Sequence, residues 1–493
     1  MATKEKSEVE VSDHEEASYD DYEDTSMEKR VIRKFDVYLL RNAIVAGFSG
    51  KYLQSSALEF NLAVSAHLFG FVLFEIPSSL LSKVLGFHVW IPIIMVCWSI
   101  TSMCQASVTT SLQLGIVRFL LGVAEAGFSP AVIDYICLFY ARKELTMRYG
   151  IFIALCTIAG AFTGLLAYGI VQIKGATLKS FQLIFLIEGI PTIILALVVA
   201  VFFTKGPGNA RFLTPKERLY TIERLRPEGG VDEEDRSFMK SQAKSAFLDP
   251  RVYVYVLATT LGSIPFNALN YFLPTLVGQL GFSPVDTQLM SVPPYVIATV
   301  VMIIFSWLAD KYQVRALPIM IADIIAIIGC AGMIGTSAND QNLHNIRYFF
   351  TTLIACGVYT QQTIVYSWLT CNIIGQYKRN IAIATALTIG NVGGVIGILL
   401  FQQTMAPAFS NGMIVALSTM VAQFVLAFWM KFHLEYVNKK RDLAILSNNK
   451  IQLTESELKD TKFIKEKAAR LVEHEPKFDD ILCDSHPNWR YIV

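Results

Sequence analysis

The chain has 493 residues, 53% of them hydrophobic, with 17% charged residues and a mean hydropathy of +0.44. Soluble domains carry about 45–50% apolar residues and average out polar, so an ordinary soluble domain is excluded. The formal net charge of +1, with basic residues spread over many short segments, provides no concentrated positive field for nucleic acid.

The N-terminus opens with an acidic stretch from Glu5 through Asp24. It lacks the basic-then-apolar pattern of a cleavable signal peptide, and 1–34 reads as a disordered acidic cytoplasmic tail. Residues 35–52 are interrupted by Asp36, Arg41 and Gly50, and a charge at mid-depth costs roughly 2.5 kcal/mol or more. Helix 1 is therefore expected to be truncated or missing. One crossing is still needed there, because the tail bearing Lys29, Arg30, Arg33 and Lys34 belongs inside while the next block must start outside.

Apolar blocks follow at 62–85, 89–106, 112–140, 149–173, 181–203 and 252–280, then at 289–309, 317–336, 348–374, 381–405 and 413–432. Each is close to the ~20 residues that cross a bilayer as helix, so eleven clear spans are expected. Basic residues fall in alternate loops, which marks those loops as cytoplasmic. The expected plan is an N-terminal helical half at 35–204, a cytoplasmic linker at 205–250, a C-terminal helical half at 251–437 and a second cytoplasmic tail at 438–493. Two six-helix halves joined this way are a common transporter design. In the second half the connection near 310 carries Asp310, Lys311 and Arg315, whereas its first-half counterpart around Lys83 has no acid.

No nucleophile-base set, Walker loop, HExxH or CxxC pair is present, so no catalytic residue, cofactor or metal site is expected. Seven of eight cysteines lie in apolar blocks, which is not a disulfide framework. Chemistry must then come from polar groups within the spans. Arg118 and Glu125 are seven residues apart, on one helical face and about 10 Å apart along the axis. Glu125 falls close to mid-span, where a carboxylate is costly unless paired or protonated. It reads either as a proton-coupling site or as half of a static interhelical ion pair. Arg118 offers a planar fork for a substrate carboxylate or for the glutamate beneath it. Gly122, Ala126, Gly127 and Pro130 would let another helix approach closely and bend the span.

Further along, Glu188 either neutralises an arginine or lines the path. Asn267, Asn270, Gln361, Gln362, Tyr366, Trp368, Asn372 and Asn391 are neutral hydrogen-bonding or aromatic groups. Singly they suit helix-to-helix bonds; as a set, some should face a cavity and bind substrate. Asp310 and Arg315 flank a tight turn and read as an inner gate or as topology markers. His67 and Glu75 receive no substrate role; Glu75, beside Pro77, is read as structural, snorkelling or accepting from backbone donors.

The run Arg118-Phe119-Leu120-Leu121-Gly122-Val123-Ala124-Glu125-Ala126-Gly127 with Pro130 resembles the fourth-helix signature of the fungal anion:cation symporters, a branch of the major facilitator superfamily. Phe74-Glu75-Ile76-Pro77-Ser78, Glu188-Gly189-Ile190-Pro191, Phe272-Leu273-Pro274, Val292-Pro293-Pro294-Tyr295 and Asp310 extend the likeness. Met27 to Asp36, and the closing His486-Pro487-Asn488-Trp489-Arg490-Tyr491, are most similar to the nicotinic acid permease group. Asn42-Ala43 and Ala46-Gly47 resemble the outer end of that family's first helix, and the residues expected before them are absent. Phe181-Gln182-Leu183 stands where the family usually has an arginine between aromatics, which puts an ion-pair role for Glu188 in doubt.

The resemblance implies an all-α membrane protein of the major facilitator fold in a multi-pass topology, expected in the plasma membrane as a monomer. It implies uptake of a small organic anion, nicotinate-like or allantoate-like, together with a proton, by alternating access. Against this stands a non-transporting nutrient sensor or scaffold, or an inactive paralogue, raised by the defective first helix.

Overall fold

The computed structural model describes residues 57–171, 178, 180–225, 244–278, 280, 284–336, 343–373, 375–400, 410–448, 464–465 and 491–492. The acidic tail at 1–34 and the questioned crossing at 35–52 lie outside the described residues, as does the middle of the 205–250 linker. Among the described residues the regular elements are all helices.

The first half contains α1 (Ala57–Leu85), α2 (Phe87–Cys104), α3 (Ser111–Glu125), α4 (Phe128–Phe139), α5 (Leu145–Val171) and α6 (Ser180–Phe202). A linker helix, α7 (Pro215–Leu225), leads to the second half: α8 (Pro250–Gly278), α9 (Pro284–Tyr312), α10 (Ala316–Gly335), α11 (His344–Asn372), α12 (Gln376–Leu400) and α13 (Ser410–Asn448). Each expected block is mainly helical over its described residues, and α13 continues past the expected boundary at 437. The short connections α1–α2, α4–α5, α9–α10 and α11–α12 and the linker helix α7 lie at one end of the bundle, here called the linker end.

Among the described residues, eight spans are long and apolar enough to cross a membrane by length and composition, and α11 is not among them. That measure does not confirm the expected count of eleven. For α11 the reason is visible: Thr351, Thr360, Gln361, Gln362 and Thr363 are all buried in protein. A helix enclosed by other helices does not need a lipid-compatible surface.

Within the first half α1 packs on α3 and α2 on α6; within the second, α8 packs on α12 and α10 on both α11 and α13. Between halves, α12 lies against α1 and α4, while α5 lies against α9 and α11. A core near the linker end joins Ile133, Leu145 and Tyr149 of the first half to Trp368, Leu369 and Ile383 of the second.

Glycine decides how α1 meets α3. A Cβ on Gly122 would stand 2.0 Å from the His67 carbonyl oxygen, so only glycine permits this crossing. Gly127 has φ +82° and ends α3 just after Glu125. This left-handed geometry suits glycine, and the expected bend in the 112–140 block is a full break between α3 and α4. Ser78 of α1 donates to the Ala126 carbonyl at 2.7 Å, holding the broken end.

Candidate functional site

A cavity of about 220 Å³ lies between the halves. From the first half it is lined by His67, Phe71 and Glu75 of α1, Glu125 of α3, Ser129 and Ile133 of α4, and Phe152 of α5. The second half supplies Ser263, Phe266 and Asn267 of α8, Gln362 and Tyr366 of α11, and Asn391 and Gly394 of α12. The volume has room for a small organic molecule and too little for a peptide.

The two walls differ in chemistry. The carboxylates and the imidazole that line the cavity, Glu75, Glu125 and His67, all come from the first half. His67 Nε2 lies 3.5 Å from Glu125 Oε2, and the α3 break leaves Glu125 at the helix end facing the cavity. Glu75, fully buried, accepts from Thr388 Oγ1 of α12 at 2.9 Å. His67, Phe71 and Glu75 are four residues apart in turn, which brings all three to one face of α1. The opposite wall is neutral and preorganised: Gln362 Nε2 donates to Ser263 Oγ at 2.9 Å and Asn267 Nδ2 to the Ser263 carbonyl at 3.0 Å.

Of the residues singled out in the sequence as site candidates, Glu125, Asn267, Gln362, Tyr366 and Asn391 are brought together in this cavity. Arg118 is buried but is not among the lining residues, and Glu125 lies beside His67. Asn270 accepts from Tyr359 OH at 2.6 Å, and Gln361 accepts from Gln423, both outside the lining. Trp368 and Asn372 lie at the linker end, bonded to the Ile492 carbonyl at 2.7 and 2.9 Å. Glu188 sits on α6, beside the Gly189–Met103 contact between α6 and α2, away from the cavity.

The linker end is closed by two polar seams. Asp310 Oδ1 meets Arg315 Nη2 at 2.7 Å, and the same carboxylate accepts from the Thr146 and Met147 amides at 3.3 and 2.7 Å. An end-of-α9 acid thus caps the N-terminus of α5 in the other half, where free amides and the helix dipole favour an anion. Arg315, fully buried, also donates to the Arg142 carbonyl at 3.3 Å. The second seam centres on Asp134 of α4, which meets Lys83 Nζ at 2.5 Å, Arg379 Nε at 2.9 Å and Asn380 Nδ2 at 3.3 Å. Ser79 Oγ donates to Asn380 Oδ1 at 2.7 Å.

Sequence reasoning missed His67 and Glu75 as cavity residues, and it missed the whole Asp134 cluster. The stripe of two ionisable residues along α1 was a usable signal. Asp134 offered a weaker one, a lone acid in an apolar block. Asp323 of α10 was also passed over; it is fully buried, and neither carboxylate oxygen has a hydrogen-bond partner among the described residues.

Two helical halves around a small polar cavity, sealed at one end by buried ion pairs, define a membrane transporter of the two-half helical class. The Major Facilitator Superfamily model matches residues 32–398, and the chain belongs to that superfamily. It is 32% identical over 339 residues to the MFS transporter prlL of Fungal sp., covering 69% of this chain and 68% of that protein. It is 26% identical over 483 residues to the high-affinity nicotinic acid transporter of Saccharomyces cerevisiae, covering 94% of this chain and 85% of that one. Among solved structures, the proton:xylose symporter XylE superposes with a TM-score of 0.61 at 14% identity, covering 82% of this chain and 94% of that chain; this likeness concerns the fold. The family and these relatives are transporters, and the protein is a multi-pass membrane transporter rather than an enzyme.

Proposed function

We propose that the protein takes up a small organic anion together with a proton by alternating access, with His67, Glu75 and Glu125 as the charged side of the site. The observation that carries this reading is the cavity itself, in which two carboxylates and an imidazole face a neutral wall of Asn267, Gln362, Tyr366 and Asn391. An anion placed beside two carboxylates is repelled until protons accompany it, so anion and proton bind as a pair. Protonated His67 then offers the anion a charged donor, while the amides of the opposite wall fix its orientation. The likeness to a nicotinic acid transporter across most of the chain supports an aromatic carboxylate as the substrate. In this reading Arg118 acts behind the cavity wall, and the linker end faces the cytoplasm, as do both tails, in the plasma membrane.

Asp310, Arg315 and the Asp134 cluster would form the inner gate. They join helices of opposite halves, and opening on that side must separate them.

The test is uptake of labelled nicotinate into proteoliposomes with and without an inward proton gradient. Accumulation above equilibrium only with the gradient is expected. Gradient-independent equilibration, or transport of a cationic analogue in preference to the carboxylate, would sink the proposal.

A further inference from the structure

Tyr491 and Ile492 are 5% and 9% exposed, although residues near a chain end are usually poorly ordered unless tied down. What ties them is a matched pair of asparagines. Asn438 of α13 accepts from the Tyr491 amide at 3.0 Å and donates to the Tyr491 carbonyl at 2.9 Å. Asn372 of α11 repeats the pattern one residue on, accepting from the Ile492 amide at 2.7 Å and donating to its carbonyl at 2.9 Å. Trp368 Nε1 adds a bond to that carbonyl at 2.7 Å. The Tyr491 ring is flanked by guanidiniums, Arg441 at 4.7 Å and Arg251 at 5.4 Å from its centroid. Tyr255 holds the floor, its hydroxyl accepting from Asn372 at 2.7 Å and its ring set edge-on to Trp368 at 5.6 Å.

Each asparagine amide therefore reads the N–H and C=O of one extended residue, as a neighbouring strand would. The paired guanidiniums read an aromatic ring. This is a peptide-binding site in construction, contributed by α8, α11 and α13.

Its position matters as well. Trp368 and Asn372 form one i, i+4 stripe at the end of α11. Displaced by one residue is a second stripe, Ser367 and Cys371, which meets the first half: Ser367 Oγ lies 2.7 Å from Thr146 Oγ1, and Cys371 Sγ lies 3.2 Å from the Arg142 carbonyl. The segment at Tyr491 thus packs on the flank, about 100° round, of the same helix end that closes the seam between halves.

We propose that α8, α11 and α13 form a binding site for an extended aromatic–aliphatic peptide, filled in cis by Tyr491 and Ile492, and that filling it holds the linker-end seam shut. The inference stands independently of the substrate and of proton coupling.

The test uses a variant ending at Arg490 and a fluorescent peptide with the sequence of residues 486–493. By fluorescence polarisation, the shortened protein should bind the peptide saturably, and the full chain should bind it at least about tenfold more weakly because its site is occupied. In the full chain carrying Cys371 as its single cysteine, a membrane-impermeant maleimide should react slowly. In the same background the shortening, or the point variants Asn438→Ala and Asn372→Ala, should raise the rate about tenfold or more; added peptide should restore protection in the shortened chain alone. Monodispersity in detergent separates these effects from misfolding, and the milder Asn438→Ala serves if the shortened chain fails to fold. Equal peptide binding by both forms, or Cys371 labelling that none of the folded variants changes, would overturn the proposal.

Discussion

Asp134 of α4 and Arg379 of α12 meet at 2.9 Å across the boundary between the halves, with Lys83 of α1 on the other carboxylate oxygen. The partner of this arrangement lies on the opposite seam, where Asp310 from the end of α9 binds Arg315 and the amides at the start of α5. In each case a carboxylate of one half is tied to the start of a helix in the other, from the end of α9 in one seam and from the middle of α4 in the other. The first-half turn lacks an acid of its own, and Asp134 supplies one from the neighbouring helix, so both seams retain a carboxylate between cations or amides.

Among the described residues Asp134 is the one acid paired with both Lys83 and Arg379, two buried cations, and its removal should be more damaging than removal of either partner. Losing one member of a buried pair costs about 3–5 kcal/mol because the remaining charge is uncompensated. Asp134→Ala should lower the thermal unfolding midpoint in detergent more than Arg379→Met, which leaves the Lys83 pair intact. Equal stability of Asp134→Ala and the parent protein would remove the cluster from the account of what closes this end.

Glu125 faces His67 at the α3 break, with cavity on its open side. Glu125→Gln keeps the shape and the hydrogen-bonding capacity but cannot exchange a proton. Exchange of labelled nicotinate between the two sides at equal concentration should persist, while accumulation driven by a pH gradient should fall about tenfold or more, equivalent to ~1.4 kcal/mol of lost coupling. If both activities disappear and the protein unfolds at lower temperature, the residue is a structural ion-pair member.

The α1–α3 crossing gives a prediction independent of function. A methyl group on Gly122 meets a backbone carbonyl at 2.0 Å, which cannot rotate aside as a side chain would. Gly122→Ala should destabilise the first half by about 1–3 kcal/mol through overpacking. The shift should also reach His67, whose carbonyl is the atom struck. Unfolding midpoints for Gly122→Ala and for Gly335→Ala, where among the described residues no atom beyond its chain neighbours and its own helix backbone lies within 4 Å of an added Cβ, provide the comparison; equal losses would contradict the packing argument.

The spans and their order were legible because bilayer-length apolar runs separated by charged loops have few other solutions. The break after Glu125 was half legible: glycines and a proline signalled a bend, while the left-handed Gly127 that completes it depends on Ser78 of another helix. Assigning roles within the spans went less well. Trp368 and Asn372 have the same composition signal as Gln362 and Tyr366 on the same helix, yet a step of six residues, under two turns of α11, separates a cavity wall from a clamp on Ile492. Periodicity identifies a face of a helix; what lies opposite depends on the register between helices, which no single span encodes. Glu75 was read as structural for the same reason, since its partner Thr388 is 313 residues away.

Asp249 supplies a pH prediction at the linker end, outside the spans. Burial opposes its ionisation, but hydrogen bonds and charge from Arg251 at 2.8 Å and Lys378 at 2.7 Å outweigh this and hold its carboxyl down at about 2. A carboxylate with a depressed folded-state pKa contributes stability above the ordinary carboxylate range and loses it as pH falls toward the folded value. The contribution should be complete at neutral pH and should fade from about pH 4 to about pH 2. Asp249→Asn removes the charge at every pH, leaving the buried Lys378 without it. The unfolding midpoint of the variant should therefore lie furthest below that of the parent at pH 7 and approach it between pH 4 and pH 2.5, with the two measured side by side in acid-stable detergent. A gap that stays constant or widens on acidification would show that the ion pairs joining α8 to α12 do not stabilise this end of the bundle.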